Sequence, residues 1–334
     1  MTKALITGIT GQDGSWLADQ LLEKGWEVHG VVRRASSHNT HRIDHIFDRI
    51  RLHRGDVADA SSMMQIISDV MPEVVFNLAA MSQVRDSFET PLSTHDIVHG
   101  GAVNVFEACA RVCPEAVIYQ ASSSEMYGNV EATNEDGERL VSMPINEDTP
   151  MRPCSPYGIA KTAAHHAANM YREAYGLCIV CGILFNHESE RRGPTFVTQK
   201  IAKAVAEIAA GRREPLLLGN LSAERDWGYA PEYMEAAVRM VEKGRPKDYV
   251  IATGSSYTVE QFLIQSFRCA GIWDNEVDKY VEVSPRLKRP FELKVLLGDA
   301  SKARDELGWK PKVTFTQLVE RMVKHQMDKL GDVR

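Results

Sequence analysis

The chain has 334 residues, of which 44% are hydrophobic and 25% charged, and its formal net charge is −6. That length exceeds a single compact core, and the acidic balance offers no basic stripe for nucleic acid and no cationic face for a membrane surface. No apolar run approaches the ~18–20 residues of a membrane span, and residues 1–6 lack the build of a signal peptide, so the expected location is the cytoplasm.

In chain order, short apolar runs alternate with helical patterns, the signature of βαβ units around a parallel sheet. Strands are predicted at 4–7, 28–32, 51–53, 74–80, 116–121 and 177–185, with helices at 15–24, 94–112 and 158–175. Gly25 is placed to stop the first helix. After Asn186 the pattern becomes mixed, with strands at 215–218, 249–252 and 280–283 and helices at 231–242, 259–269 and 315–330. The expected fold is α/β: a Rossmann-type doubly wound parallel sheet over 1–185, with a smaller mixed α/β C-terminal lobe for substrate over 186–334. Later segments have room to return to the sheet. The acidic stretch 129–150 is the longest polar loop, a solvated excursion or a lid. Cys178 and Cys181 form a C-x-x-C, but inside an apolar run and without a second pair at zinc-finger spacing. They read as packing residues, and no metal site is expected.

Gly8-Ile9-Thr10-Gly11-Gln12-Asp13-Gly14 follows the first strand and opens the first helix. Glycines there allow a tight turn and close approach of a pyrophosphate, which the N–H groups of the helix start attract. The G-x-x-G-x-x-G spacing resembles that of the extended short-chain dehydrogenases. At the end of the second strand, where NAD enzymes carry an acid for the ribose, stand Arg33 and Arg34, followed by Ser36 and Ser37. Two guanidiniums suit a 2′-phosphate and predict NADP. The same resemblance implies cofactor contacts from Asp56, Val57, Leu78, Ala80 and Ser82.

Tyr157 and Lys161 form Y-x-x-x-K at a helix start, so both side chains share a face. An ammonium beside the phenol is expected to lower its pKa, making Tyr157 the base that oxidises a sugar hydroxyl. Ser123 and Glu125 end the fifth strand. On an extended backbone, residues two apart face the same side, which would pair this hydroxyl with a carboxylate suited to eliminating water.

With these motifs, residues 1–330 resemble the GDP-mannose 4,6-dehydratase family. The matching segments are 4–15, 27–34, 119–128, 155–161, 183–201, 218–230 and 288–311, including the run Asn186-His187-Glu188-Ser189. The resemblance implies a hydro-lyase with a GDP-sugar substrate and a cycle without net cofactor use. Tyr157 and Lys161 would support oxidation at carbon 4, and Glu125 with Ser123 dehydration across carbons 5 and 6, before hydride returns to carbon 6. It further implies substrate contacts from Ser82, Asn186, Val197, Lys200, Arg225, Arg289 and Glu292, and cofactor contacts from His187 and Arg192. A homo-oligomer, dimer or tetramer, is also implied, with residues 34–43 crossing near a neighbour's cofactor.

The sequence departs from the family pattern at Ser123 (threonine), Met81-Ser82-Gln83 (glutamine-serine-histidine), Ser93 (tyrosine) and Lys294 (aspartate). Its loop around 131–143 is also longer. A GDP-linked manno-heptose is therefore an alternative substrate, and a GDP-4-keto-6-deoxysugar reductase or epimerase an alternative activity. Glu125 argues against the latter, and the retained Tyr157–Lys161 pair against a non-catalytic NADP sensor.

Overall fold

The computed structural model describes residues 1–34, 39–130, 132–133, 139–140, 143–212, 214–287 and 290–331. Ser36, Ser37 and Arg289 lie outside the described residues. The strands that position the site are β1 (Lys3–Thr7), β2 (Glu27–Val32), β3 (Arg51–Arg54), β4 (Val74–Asn77), β5 (Val117–Ser123), β6 (Ile179–Leu184), β7 (Asn186–Glu188), β8 (Glu224–Tyr229) and β9 (Asp248–Ile251). The supporting helices are α1 (Gln12–Glu23), α2 (Ala60–Val70), α3 (Gly101–Val112), α4 (Pro156–Tyr175), α5 (Val197–Ala209), α6 (Ala230–Lys243), α7 (Val259–Cys269) and α8 (Phe315–Gly331).

The main sheet has seven strands in the order β9-β6-β5-β4-β1-β2-β3, and its pairings are all parallel. Both faces are covered, so the strands read as continuous apolar runs. On one face Leu17 and Leu21 of α1 pack with Met234 and Val238 of α6. On the other, Ile66, Phe106 and Ala164 join α2, α3 and α4. Each large aliphatic side chain taken fully from water contributes roughly 2 kcal/mol. A second lobe has its own core around Ile201, Trp227, Phe262 and Val323, uniting α5, β8, α7 and α8. Among the described residues no helix is long and apolar enough to cross a membrane.

The strand order reverses between β1 and β4, which opens a crevice at their carboxyl ends. Polar side chains fix this end of the sheet. Thr7 donates to Asn77 Oδ1 at 2.7 Å, and Asn77 donates to Gln120 Oε1 at 2.8 Å, tying β1, β4 and β5 together. The Leu78 and Ala79 N–H groups then turn onto Thr7 Oγ1 at 3.1 and 3.2 Å. The strand predicted over 74–80 therefore stops at Asn77, and residues 78–80 leave the sheet for the crevice.

Two further elements differ from expectation. The helix predicted over 94–112 is interrupted by a π turn at Asp96–Gly100 before α3. Helix α2 is not among the predicted elements, although Met63, Ile66, Ile67 and Val70 have helical spacing and Asp59 caps the Ser61 and Ser62 N–H groups.

Candidate active site

The crevice is a cleft of about 820 Å³. Its floor begins at the glycine turn. Gly8 adopts φ +74°, a left-handed conformation that a side chain would strain. A Cβ at Gly14 would collide with the Gly8 carbonyl oxygen, so only glycine lets α1 start this close to the turn. Helix α1 begins after Gly11 with no side chain capping it, which leaves its first N–H groups for a ligand's anionic oxygens.

Distant residues secure this turn. His187 Nε2 lies 2.9 Å from Asp13 Oδ2, and its Nδ1 faces the Phe185 carbonyl at 2.7 Å. Gln12 donates to the His187 carbonyl at 3.1 Å and accepts from Ser189 at 2.9 Å. Burial works to raise the Asp13 carboxyl, but the His187 charge and hydrogen bond outweigh it and hold Asp13 at about 2. Arg192 is paired with Glu188 at 2.9 Å.

Gly8, Thr10, Gly11, Gln12, Asp13, Gly14, Arg33, Asp56, Val57, Leu78, Ala80, Ser82, His187 and Arg192 all line the cleft. Arg34 does not: it is exposed and outside the lining. The second cation beside the glycine turn is Arg42, which lines the cleft and donates to the Arg191 carbonyl at 2.7 Å. Of the expected Arg33–Arg34 pair, Arg33 lines the cleft, and Arg42 is a further guanidinium there. An uncapped helix start, a glycine turn and two guanidiniums fit an anionic dinucleotide.

On the opposite wall, Ser155 caps α4 by accepting from the Gly158 N–H at 3.0 Å, and Pro156 opens the helix. This sets Tyr157 and Lys161 one turn apart, both buried and both lining the cleft. Gly158 brings α4 against the turn that follows β5: a Cβ there would be 2.6 Å from the Glu125 carbonyl oxygen. The Ser123 hydroxyl accepts from the Glu125 N–H at 3.2 Å and hydrogen-bonds Tyr157.

Two expectations change here. Ser124–Met126 form a 3-10 turn capped by Ser123, so the backbone is not extended at Glu125. The turn, not strand alternation, brings Glu125 to the cleft that Ser123 lines. Nor is the Tyr157 phenol lowered. Burial pushes it well above its usual range, with the Ser123 hydrogen bond working the other way. The Lys161 ammonium lies 5.8 Å from the Tyr157 ring centroid and donates to the Ala121 carbonyl at 2.7 Å. Burial lowers Lys161 to about 8, against the pull of Asp13.

The second lobe supplies the remaining wall, where Asn186, Val197, Lys200, Arg225 and Glu292 line the cleft. Arg225 is buried on β8 and pairs with Glu292 at 3.1 Å. Sequence reasoning passed over Arg42, Arg85 and Trp227, which also line it. Arg42 stands inside the 34–43 segment already noted, whereas Arg85 and Trp227 carry no motif.

The profile of the family described as GDP-mannose 4,6 dehydratase matches residues 5–322. The chain belongs to the GDP-mannose 4,6-dehydratase family. It is 46% identical to GDP-mannose 4,6 dehydratase 1 of Arabidopsis thaliana, over 97% of this chain and 90% of that protein. It is 44% identical to the Homo sapiens GDP-mannose 4,6 dehydratase, over 96% and 90%. Among solved structures it is similar to the UDP-glucose 4-epimerase of Thermus thermophilus, solved in complex with NAD, with a TM-score of 0.82 and 25% identity over 97% and 99% of the two chains. The fold is shared with the dTDP-glucose 4,6-dehydratase of Bacillus anthracis, with a TM-score of 0.84 and 21% identity over 99% and 98%.

In this GDP-mannose 4,6-dehydratase family member, a charged cluster lies behind the reactive wall. Ser122 Oγ is 2.9 Å from His165 Nδ1, and His165 Nε2 is 3.4 Å from Asp248 Oδ2. Arg172 donates to Asp248 at 2.7 Å and to Cys181 Sγ at 3.2 Å. Burial opposes a charged ring at His165, but Asp248 and Cys181 outweigh it and raise His165 to about 10. The ligand atoms of His165, Cys181 and Asp248 lie within 4.8 Å of one another. The Arg172 guanidinium is bonded to two of the three, and Asp248 is thereby paired with both Arg172 and His165.

Proposed function

We propose that this protein is a hydro-lyase that converts GDP-mannose to its 4-keto-6-deoxy product, with NADP as bound cofactor. One observation carries the reading: Glu125 and the Tyr157–Ser123 pair line one cleft that begins at a dinucleotide-type glycine turn. An oxidation alone needs the phenol and hydroxyl; a carboxylate beside them supplies the base that an elimination needs.

Ser123 and Tyr157 hold the carbon 4 hydroxyl, and Tyr157 takes its proton as the ketone forms. Lys161, fixed on the Ala121 carbonyl beside Tyr157, would favour the phenolate once bound ligands offset the burial that keeps the phenol protonated. A nicotinamide cofactor held along the glycine turn and Arg33 would supply the hydride acceptor for carbon 4 and the hydride source for carbon 6. The ketone acidifies the carbon 5 proton, which Glu125 abstracts, while the proton that Tyr157 took from carbon 4 passes to the departing carbon 6 hydroxyl, which leaves as water. Carbon 5 then regains a proton from Glu125, so the net change is loss of one water.

The choice of NADP over NAD is supported by Arg33 and Arg42 on the cofactor side. Arg33→Ala should weaken NADP⁺ in a fluorescence titration by more than it weakens NAD⁺. A homo-oligomer, dimer or tetramer, is what the family resemblance implies, and sedimentation measures it.

The deciding experiment incubates GDP-mannose with enzyme and a trace of NADP⁺, followed by mass spectrometry. The expected product is lighter by one water and forms without NADPH. Glu125→Gln should still bind NADP⁺ and make no 4-keto product; near-normal turnover would remove Glu125 from the mechanism. A parallel run with a GDP-linked heptose reads the length of sugar accepted.

A further inference from the structure

Arg85 has a cationic role in the cleft that no motif announces. It lies in the first turn of the short helix Val84–Glu89, just past the loop that leaves β4. Its side chain is half-buried and lines the cleft, as do Val197 and Lys200 of α5. Among the described residues no carboxylate pairs with it.

Arg85 is close enough to act on Lys200. Burial, and then the Arg85 guanidinium, hold the Lys200 ammonium below its usual value. Lys200 is itself fixed by donating to the Leu217 carbonyl at 2.6 Å. Two cations therefore converge on one part of the cleft.

Three acids that line the cleft are engaged with other cations. Asp13 is with His187, Glu188 with Arg192 and Thr198, and Glu292 with Arg225. Arg225 in turn donates to the Glu224 and Leu293 carbonyls at 2.8 and 2.9 Å. Like charges held together this way raise the energy of the protein unless an anion bridges them. The guanidinium geometry favours a two-point contact with phosphate oxygens.

Position selects the phosphate. The helix that carries Arg85 meets the Tyr157 end of the cleft, where the Ser87 hydroxyl accepts from the Tyr157 N–H at 3.2 Å, whereas Arg225 is paired with Glu292. We propose that Arg85 and Lys200 clamp the sugar-proximal phosphate of the nucleotide diphosphate, making Arg85 a determinant of diphosphate over monophosphate binding. This rests on the ligand being a GDP-sugar.

Isothermal titration of GDP, GMP and inorganic pyrophosphate into the full-length protein tests the clamp. Arg85→Gln should weaken GDP and pyrophosphate by about tenfold or more and leave GMP within about twofold. Arg85→Lys should recover part of the loss, because it restores the charge without the fork. Equal weakening of GDP and GMP, or unchanged pyrophosphate binding in Arg85→Gln, overturns the clamp. A wild-type protein that binds pyrophosphate but not GDP overturns the GDP reading alone, since the pyrophosphate arm still reads Arg85. An unchanged circular dichroism spectrum and melting temperature confirm that the variants fold.

Discussion

His165 should carry a pH-dependent share of the stability of this fold. It is buried on α4, hydrogen-bonded to Ser122 of β5 and paired with Asp248 of β9, so it links the helix to two strands of the main sheet. Its folded pKa of about 10 lies above the ordinary 6.5. A raised value means that the charged ring stabilises the fold fully below pH 6.5 and loses that contribution as pH rises toward 10. At about 1.4 kcal/mol per pH unit, this gap sets a ceiling of roughly 5 kcal/mol. Asp248 is shared with Arg172 and stays partly in contact with solvent, which brings the expected loss in His165→Gln to about 2 kcal/mol. In differential scanning calorimetry at pH 6.5 the variant should melt a few degrees lower. The difference should shrink steadily between pH 7 and 10. A gap that stays constant across that window would refute a charged His165 and leave only a packing loss.

Three further outcomes probe the cleft. Tyr157→Phe removes the proposed proton acceptor for carbon 4 and should lower kcat by about 10²–10⁴-fold while dinucleotide affinity stays nearly unchanged; parallel loss of both would make the residue structural. Gly158→Ala would normally favour a helix by about 1 kcal/mol. Its Cβ would meet the Glu125 carbonyl at 2.6 Å, so both melting temperature and kcat should fall, and a variant that melts higher would contradict the close packing of α4 on this turn. Lys161 stands at about 8, and bound phosphates would raise it, so NADP⁺ binding should take up protons above pH 8 and weaken as pH increases. Titration calorimetry in buffers of different ionisation enthalpy at about pH 8.5 detects this, and heats independent of buffer would contradict it.

What the sequence made legible was the chemistry carried on short segments. The glycine turn, the Tyr157–Lys161 pair and the Ser123–Glu125 pair each fall within a few residues at a strand end or helix start, where local rules of spacing apply. Even there, Ser123 and Glu125 reach one cleft by a 3-10 turn that strand alternation does not foresee. Charge partners obey no such local rule. Asp13 meets His187 across 174 positions, and Arg42 reaches the Arg191 carbonyl across 149. Whether Arg34 or Arg42 faces the cofactor site depends on how the chain returns after β2, which spacing along the sequence does not encode.

The same distinction governs the proposed acid–base groups, Tyr157 and Lys161. Sequence places a lysine one turn from the tyrosine, and from that spacing a lowered phenol follows. The fold instead buries both groups and directs the ammonium to the Ala121 carbonyl. Desolvation then dominates each of them: it drives the phenol up and the ammonium down, favouring the uncharged form of both. Before ligands bind, the phenol is therefore held protonated, and Lys161 sits within about one pH unit of losing its own proton. The positive nicotinamide ring of an oxidised cofactor would pull the phenol back down, while the cofactor's phosphates would hold Lys161 as an ammonium. In the proposed mechanism, charge brought in by ligands would then ready the base. This ties the onset of oxidation to assembly of the full complex, and it is why proton uptake on cofactor binding is the measurement that most directly reports the state of Lys161.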